Sequence, residues 1–333
     1  MKNSVSTPSS TVARVLASIL VTASLAGFAV EAMAQAYPNK PVKFILPYPP
    51  GGSTDLSGRI VAAELSAALG QQYVVENRAG AAGNIGVDAI AKSAPDGYTI
   101  GFSGMGPSVL THIAGPKPPF TQKDLVFIGH AGIVEMMIVA NSSSPYTTVK
   151  QIIDAAKASP GKIPYGHGGT GSPAHLSWEL FNAMAGVDMP AIPYKGDAPA
   201  MTDIVGGQLM VGSISVAGSL SQIKAGRVRG IAVYSPQRSP SLPDVPTVAE
   251  AGLPGYEAGT FNVLIGPAGI PAPIVQRLNS VLNESMAKAA VRERYLQMGM
   301  VPMINTSQQA TDFVLRETAK WDKVIKDAKI QMQ

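Results

Sequence analysis

The sequence of 333 residues contains no cysteine. This absence excludes a thiolate nucleophile, disulfide bonds, iron–sulfur clusters and zinc sites built on cysteine. Aromatic residues make up only 6% of the chain, so the stacking platforms that bind single-stranded nucleic acids are not favoured. The chemistry of any site must therefore come from groups other than a thiolate.

Charged residues are also scarce. They account for 14% of the chain against 46% apolar residues, which is typical neither of a disordered protein nor of a coiled coil. The 26 basic and 22 acidic residues give a net charge of +4, and no run of basic residues occurs, so we expect no nucleic-acid partner. The length predicts about two domains.

Residues 1–34 have the order of a secretory signal peptide. Lys2 and Arg14 precede an apolar stretch over 15–30, and Ala32-Met33-Ala34 supplies the small residues of a cleavage site. We expect cleavage after Ala34 and export to a bacterial periplasm, which suits a protein without disulfides. The alternative is a retained membrane anchor. It is less favoured because the apolar stretch is short of the roughly 20 residues that span a bilayer.

Strand-like and helical segments alternate along the remaining chain. Val42–Leu46 is a short apolar run, and apolar residues at helical spacing follow over 55–69. The alternation begins again near Glu135 and continues to about residue 234, before a helical tail that starts near residue 271. This pattern indicates βαβ units, and we expect an α/β protein with mostly parallel sheets.

A loop rich in proline and glycine separates the first strand from the first helix. It reads Pro47-Tyr48-Pro49-Pro50-Gly51-Gly52-Ser53-Thr54-Asp55. In a parallel sheet such a loop lies at the carboxyl edge, where ligands bind, and the free amides of the helix start favour an anion. The alternative is a plain capped turn, which would not need this many prolines and glycines.

A second loop of this kind reads Gly166-His167-Gly168-Gly169-Thr170-Gly171-Ser172-Pro173. Ser172 as N-cap and Pro173 at the first helical position predict a helix start. The glycines match the G-x-G-x-x-G pattern of dinucleotide sites, but the acidic residue expected about 20 residues further on is missing. We therefore interpret the loop as a second anion-binding helix start.

His175 lies on the same helical face as Glu179, four residues on. This pair is either a ligand contact at the mouth of a cleft or a solvated pair, and the sequence leaves both readings open. Ser172 and His175 as a hydrolytic pair are disfavoured, because no G-x-S-x-G elbow occurs. Neither H-E-x-x-H nor a Walker A sequence is present, and we expect no metal site.

Three further positions are candidates for ligand contact. Lys195 follows another strand and could meet an anion, although most lysines are simply exposed. Ser103 with Gly104, and Ser215 with Val216, stand near strand ends, where small hydroxyl residues suit both ligand contacts and ordinary turns.

Several motifs together resemble a known family. They are Pro-x-x-Pro-Gly-Gly-x-x-Asp at 47–55, Glu76-Asn77-Arg78-Ala79-Gly80, Gly169-Thr170-Gly171-Ser172 with His175, Pro193-Tyr194-Lys195-Gly196 and Gly266-Pro267-Ala268-Gly269. In this combination they are similar to those of the Bug-type periplasmic solute-binding receptors of tripartite tricarboxylate transporters. The resemblance extends over residues 37–333.

The resemblance implies a type II periplasmic-binding-protein fold, in which two α/β lobes enclose a ligand cleft. Lobe 1 is expected over 35–140 plus 260–333, and lobe 2 over 141–259, with hinges near 139–142 and 258–262. It also implies a monomeric binding protein without enzymatic activity or cofactor. The expected partners are a small organic carboxylate and the large and small membrane subunits of the transporter.

The resemblance and the loops above define the expected ligand contacts. These are Tyr48, Pro50, Gly51, Gly52, Ser53, Asp55, Ser103, Gly104, Thr170, Gly171, Ser172, His175, Lys195, Ser215 and Val216. The run 212–220 lacks the acidic residue that members binding amino acids can carry there. We therefore expect a plain mono- or dicarboxylate, aromatic acids included, rather than an amino acid.

Two other functions stay open as alternatives. One is an exported α/β hydrolase that acts on a small carboxylate-containing substrate, and the other is a nucleotide-binding oxidoreductase. The missing nucleophile elbow disfavours the first, and the missing acidic residue after the glycine loop disfavours the second.

Overall fold

A computed structural model describes residues 37–114 and 117–327. The expected signal peptide and its cleavage site lie outside the described residues. The strands are β1 Val42–Leu46, β2 Tyr73–Asn77, β3 Thr99–Gly104, β4 Leu125–Val134, β5 Met136–Asn141, β6 Tyr165–His167, β7 Ala191–Pro193, β8 Val211–Ser215, β9 Val228–Val233, β10 Thr260–Pro267 and β11 Met300–Pro302. The longer helices are α1 Ser53–Leu69, α2 Asn84–Ala91, α3 Val149–Ala158, α4 Pro173–Ala185, α5 Asp197–Val205, α6 Val216–Lys224, α7 Ala272–Ala287, α8 Ala289–Gln297 and α9 Ser307–Asp327.

The strands form two separate sheets. The first has the order β11-β4-β10-β3-β1-β2, and the second has the order β7-β6-β8-β5-β9. Helices accompany both sheets, so the expected two-lobed α/β fold is confirmed.

The expectation of mostly parallel sheets is wrong, because both sheets are mixed. In the first sheet β10 runs antiparallel to β3 and β4, and in the second β5 runs antiparallel to β8 and β9. The chain enters the second sheet at β5 and returns to the first sheet at β10. In both cases it arrives directly from the other sheet, without the crossover helix that makes neighbouring strands parallel. The strands β1–β3 and β6–β8 do pair in parallel.

The chain passes from the first sheet to the second at Glu135, between the end of β4 and the start of β5. It returns through the segment 234–259, which leads into β10. The boundary expected at residue 140 falls inside β5, which pairs with strands of the second sheet. We therefore propose to divide the lobes at Glu135 and at Thr260, and to move the first hinge from 139–142 to 134–136.

Buried apolar side chains pack on both faces of each sheet. One cluster joins the first sheet to α1 and α7, through Phe44, Leu46, Ile60 and Leu278. A second cluster contains residues of both lobes, among them Trp178 of α4 and Trp321 of α9. The C-terminal helix therefore stabilises the side of the molecule where the lobes meet.

Local sequence explains where the helices begin. Thr306 and Gln309 form a reciprocal capping box, in which each side chain accepts the backbone amide of the other, at 3.1 and 2.9 Å. Ser172 caps α4 and Pro173 occupies its first position. Among the described residues, no helix is both long and apolar enough to cross a membrane.

Candidate functional site

The site in the first lobe lies at the carboxyl edge of three parallel strands. Because β1, β2 and β3 run in the same direction, the segments that follow them meet at one edge of the sheet. They are the loop 47–52, the loop 78–83 and the turn that begins at Gly104. Except for the buried Ser103, the sequence-predicted residues of the first lobe are thus gathered at one place.

Asp55 holds the first loop in shape. Its carboxylate is buried and accepts hydrogen bonds from the Gly51 amide (3.0 Å), from Arg59 Nε (3.0 Å) and from Asn77 Nδ2 (2.8 Å). These donors hold the pKa of Asp55 at about 2, with the Arg59 guanidinium as the largest cause. Both oxygens are used inside the protein, so Asp55 positions the loop more directly than it meets a ligand.

The start of α1 leaves donors free. The amides of Gly52, Ser53 and Thr54 have no hydrogen-bond partner among the described residues, and neither has the Ser53 hydroxyl. A Cβ added at Gly52 would meet nothing within 4 Å, so this stretch of backbone is open to approach. The positive end of the α1 helix dipole also lies at these amides. The arrangement suits one carboxylate group.

Tyr48 and Gly104 line this edge of the sheet. A Cβ built on Gly104 would lie 3.5 Å from the Tyr48 hydroxyl, and one on Gly83 would lie 3.2 Å from the Tyr48 ring. Burial raises the pKa of Tyr48 to about 12, so its hydroxyl remains a neutral donor. Pro50 is exposed at the tip of the loop.

Ser103 lies away from this surface. It is fully buried, and its hydroxyl is 2.6 Å from that of Ser108. Asn262 on β10 is a functional candidate that sequence reasoning missed. It accepts a hydrogen bond from Thr54 Oγ1 at 3.0 Å and sits opposite Gly104 in the sheet. Only the pairing of β10 with β3 reveals it, because the two residues are far apart in sequence.

The second lobe has a similar edge. Because β6, β7 and β8 are parallel, the loop 168–172, the loop 194–196 and the end of β8 at Ser215 lie together. Within loop 168–172, two amides are bound by imidazoles. Gly169 N donates to His167 Nδ1 (3.1 Å), and Gly171 N donates to His175 Nδ1 (3.0 Å).

The structure contradicts the reading of His175 and Glu179 as a solvated pair, whereas the reading of His175 as a ligand contact stays a prediction. His175 is buried, at 9% exposure, and its Nε2 is 3.9 Å from Glu179 Oε1, too far for a hydrogen bond. Glu179 instead accepts a hydrogen bond from the Tyr165 hydroxyl at 2.8 Å. Burial lowers the pKa of His175 and raises that of Glu179. Both groups are thus pushed towards their neutral forms.

Thr170 and Ser172 offer hydroxyl groups on this loop. Thr170 is exposed, and its hydroxyl has no partner among the described residues. Ser172 Oγ accepts the His175 amide at 3.3 Å as the N-cap of α4, which leaves its own hydrogen available to a ligand. Lys195, in the neighbouring loop, is exposed and forms no ion pair with the part of the chain that the structure describes.

Ser215 and Val216 are occupied by other contacts. Asp197 Oδ2 accepts hydrogen bonds from the Ser215 amide (3.0 Å) and from its hydroxyl (2.6 Å), and the Val216 amide donates to the Glu135 carbonyl at 2.9 Å. Asp197 is a second residue that the sequence reading missed. A Cβ built on Gly168 would lie 2.8 Å from Asp197 Oδ1, so this carboxylate borders the glycine loop. The available signal was an acidic residue directly after Gly196, at the start of α5.

No hydrogen bond joins loop 47–55 to loop 168–175 in the described chain. A groove of about 890 Å³ runs between α6 and α8, but neither loop lines it, and we do not assign it to the ligand. Within 37–114 and 117–327, no cluster of three or more histidine or acidic residues could hold a metal ion.

Comparison with known proteins finds a matching family model and similar relatives. The family model described as "Tripartite tricarboxylate transporter family receptor" matches residues 58–330. Protein BugT of Bordetella pertussis is 37% identical over 316 residues, which are 94% of this chain and 97% of that protein.

Two solved structures are also similar. An R. palustris protein solved with adipate is 33% identical, with a TM-score of 0.77 over 89% of this chain and 99% of that one. MatC from Rhodopseudomonas palustris, solved with malate, is 27% identical, with a TM-score of 0.72 over 87% of this chain and all of that one. Both of these relatives were solved with a dicarboxylate.

Proposed function

The chain belongs to the tripartite tricarboxylate transporter receptor family, and from this premise we propose that it captures a small organic carboxylate between its two lobes. The family consists of solute-binding receptors, so the expectation that the chain is not an enzyme is confirmed. The alternatives of a hydrolase and an oxidoreductase are dropped on the same ground.

The observation that carries the proposal is the open start of α1. The amides of Gly52, Ser53 and Thr54 and the Ser53 hydroxyl have no hydrogen-bond partner in the described part of the chain, and a Cβ added at Gly52 would meet nothing within 4 Å. A hydrogen bond to a charged group is worth about 1.5–3 kcal/mol, so a few such donors suffice to hold one carboxylate without a cation. Neither loop contains an arginine, which excludes a bidentate guanidinium clamp from them.

The second lobe supplies the other half of the site. Thr170 and Ser172 offer hydroxyl groups, and Lys195 offers a cation in the next loop, where it forms no ion pair with residues 37–114 and 117–327. We propose that closure of the lobes brings these groups onto the ligand already held by α1. Hinge closure of this kind is a usual response in periplasmic binding proteins.

The ligand class follows from the charges at the two edges. We propose a mono- or dicarboxylate, aromatic acids included, because relatives were solved with adipate and malate and the donors here are suited to anions. Asp197, however, brings a carboxylate to the edge of the second lobe, where the run 212–220 has none. Amino acids therefore belong in the panel of test ligands.

We further propose that the mature protein begins at Gln35 and works as a periplasmic monomer. The order of residues 1–34 supports export, and relatives are described as periplasmic proteins. Membrane subunits of a tripartite transporter are the proposed recipients of the ligand.

A thermal-shift screen of the mature chain tests the proposal. The panel contains mono-, di- and tricarboxylates, their amides and amino acids. A true ligand at one hundred times its dissociation constant stabilises the fold by roughly 2.7 kcal/mol. We expect acids to raise the melting temperature and their amides to leave it unchanged. An amide that stabilised the protein as much as its acid would contradict the assignment.

A further inference from the structure

Two imidazoles stack beneath the glycine loop of the second lobe. His167 is the last residue of β6 and His175 lies in the first turn of α4. Their ring centroids are 4.6 Å apart and their planes differ by 16°. Tyr165 and Trp178 form a second stacked pair next to them, with a separation of 4.4 Å. Both histidines are buried, at 1% and 9% exposure.

Each of these imidazoles accepts one amide hydrogen of the loop. His167 Nδ1 takes the hydrogen of Gly169, and His175 Nδ1 takes that of Gly171. A ring nitrogen accepts only when it carries no proton, so both rings must be neutral, with their hydrogen on Nε2. A protonated ring has a hydrogen on both nitrogens and loses the bond to the loop. Two cations at this separation would also repel each other.

We propose that His167 and His175 are positioning residues that hold loop 168–172 in its ligand-binding shape through their neutral Nδ1 atoms. The inference depends on the proposed function only in that it treats this loop as a ligand loop. His167 is buried and acts through the Gly169 amide. His175 likewise acts through the amide of Gly171, and its own amide binds the N-cap Ser172.

The surroundings decide which form of the rings is stable. Four titratable groups lie next to the pair. Tyr165 packs against His167 with 5.5 Å between ring centroids, and the amide of Tyr194 donates to the His167 carbonyl. Glu179 lies 3.9 Å from His175 Nε2, and Asp197 borders the glycine loop at Gly168. The carboxylates among them favour a cationic ring, whereas burial opposes it. Burial dominates, since it lowers the pKa of His167 to about 4 and also lowers that of His175. The neutral pair is therefore the stable form near pH 7.

The sign of the resulting pH response is distinctive. A histidine that clamped a carboxylate as a cation would strengthen binding as the pH falls. These histidines must do the opposite, because protonation frees the loop amides. In the ordered loop the imidazole of His167 has a pKa of about 4, below its ordinary value of 6.5. The ordered loop is therefore expected to lose stability as the pH falls below 6.5.

Nitrogen-15 NMR of histidine side chains and loop amides tests this in the ligand-free mature protein between pH 8 and pH 4. At pH 7.5 we expect both rings as the Nε2–H tautomer. On acidification the Gly169 and Gly171 amide signals should move together with the protonation of the rings. Rings that carried the hydrogen on Nδ1, or loop amides that stayed fixed while the rings titrated, would overturn the proposal.

Asparagine supplies the matched variant, because its Oδ1 lies close to the position of Nδ1 and takes up no proton. The double variant His167→Asn with His175→Asn should keep the loop amide signals near their wild-type positions and lose their pH response. His167→Leu should displace the Gly169 signal at every pH. If the loop amide signals of the double variant still changed with pH around the same midpoint, the inference would be contradicted. These readouts use no ligand, so failure to bind any carboxylate would refute the proposed function alone.

Discussion

Asp197 and Ser215 tie together the starts of two helices in the second lobe. Asp197 is the first residue of α5 and Ser215 is the N-cap of α6, and one carboxylate oxygen accepts both the amide (3.0 Å) and the hydroxyl (2.6 Å) of Ser215. The Ser215 hydroxyl in turn accepts the Gly218 amide at 3.1 Å. These hydrogen bonds fix the edge of the second sheet beside the glycine loop.

Asp197→Ala should destabilise the protein by about 1.5–3 kcal/mol, because the Ser215 amide and hydroxyl lose a charged acceptor. The measurement is urea unfolding followed by circular dichroism. Asp154→Ala is the matched control, since Asp154 forms an exposed ion pair with Lys150 that is worth less than about 1 kcal/mol. Equal losses in the two variants would show that Asp197 has no such role.

Asp55→Asn should make the free energy of unfolding less dependent on pH in the acid range. The folded-state pKa of Asp55, about 2, lies below its ordinary value of 3.8, so its contribution is complete above 3.8 and is lost as the pH falls towards 2. The difference in unfolding free energy between wild type and variant should therefore be constant near neutral pH and shrink below pH 4. Asp322→Asn, which removes a surface ion pair with Lys326, is the control. A difference that did not change with pH would exclude the carboxylate network as its cause.

Glu135→Gln should have an effect of the opposite sign. Glu135 is buried at the crossing between lobes, where Ser235 and Ser239 donate to it, and burial raises its pKa above the ordinary 4.5. The folded state thus keeps this proton to higher pH than the unfolded state does, and stability falls as the pH rises from 4.5 through the raised pKa.

Because glutamine has no proton to lose, Glu135→Gln does not lose stability through this group as the pH rises. We expect its unfolding free energy, relative to wild type, to rise between pH 4 and pH 8 in chemical denaturation. Glu284→Gln, an exposed position on α7, should show no such trend. A relative stability of Glu135→Gln that stayed flat or declined with pH would contradict the assignment.

Gly299→Ala should disturb the contact between the lobes. Gly299 has a φ of 63°, and a Cβ there would lie 2.5 Å from the Ala217 amide nitrogen, across the lobe boundary. Gly186→Ala is a close control, because its φ is 62° and a Cβ meets nothing within 4 Å. Both variants bear the left-handed backbone cost of about 1–2 kcal/mol. Only Gly299→Ala should also increase the radius of gyration in X-ray scattering, and equal scattering of the two would exclude the lobe contact.

Local chemistry explains how far the sequence predicts the fold. The apolar run Val42–Leu46, the cap at Ser172 and the capping box at Thr306 are written in neighbouring residues, and the structure has each of them. The ends of β8 at Val211 and Ser215 are instead decided by its pairing with β5 and β6. The antiparallel course of β5 and β10 is a property of the crossings, which no local pattern contains.

The candidate site was likewise predictable only where neighbouring residues determine it. Its loops follow from glycine, proline and helix-start signals, whereas the partners of each side chain come from distant elements. Asp197 reaches Ser215, and Asn262 reaches Thr54, only after the sheets form. The burial that makes His167 and His175 neutral acceptors likewise depends on packing across the second lobe.

Titration calorimetry of adipate, malate and their amides against wild type and Gly52→Val tests the central claim most directly. Gly52 has an ordinary φ of −78° and open space around it, so valine should leave the fold intact, as its melting temperature will show, while it blocks the free amides of α1. We expect wild type to bind at least one of the acids, with one site and no affinity for its amide, and Gly52→Val to lose that binding. Wild-type affinity in a folded Gly52→Val, or an amide bound as tightly as its acid, would contradict the account.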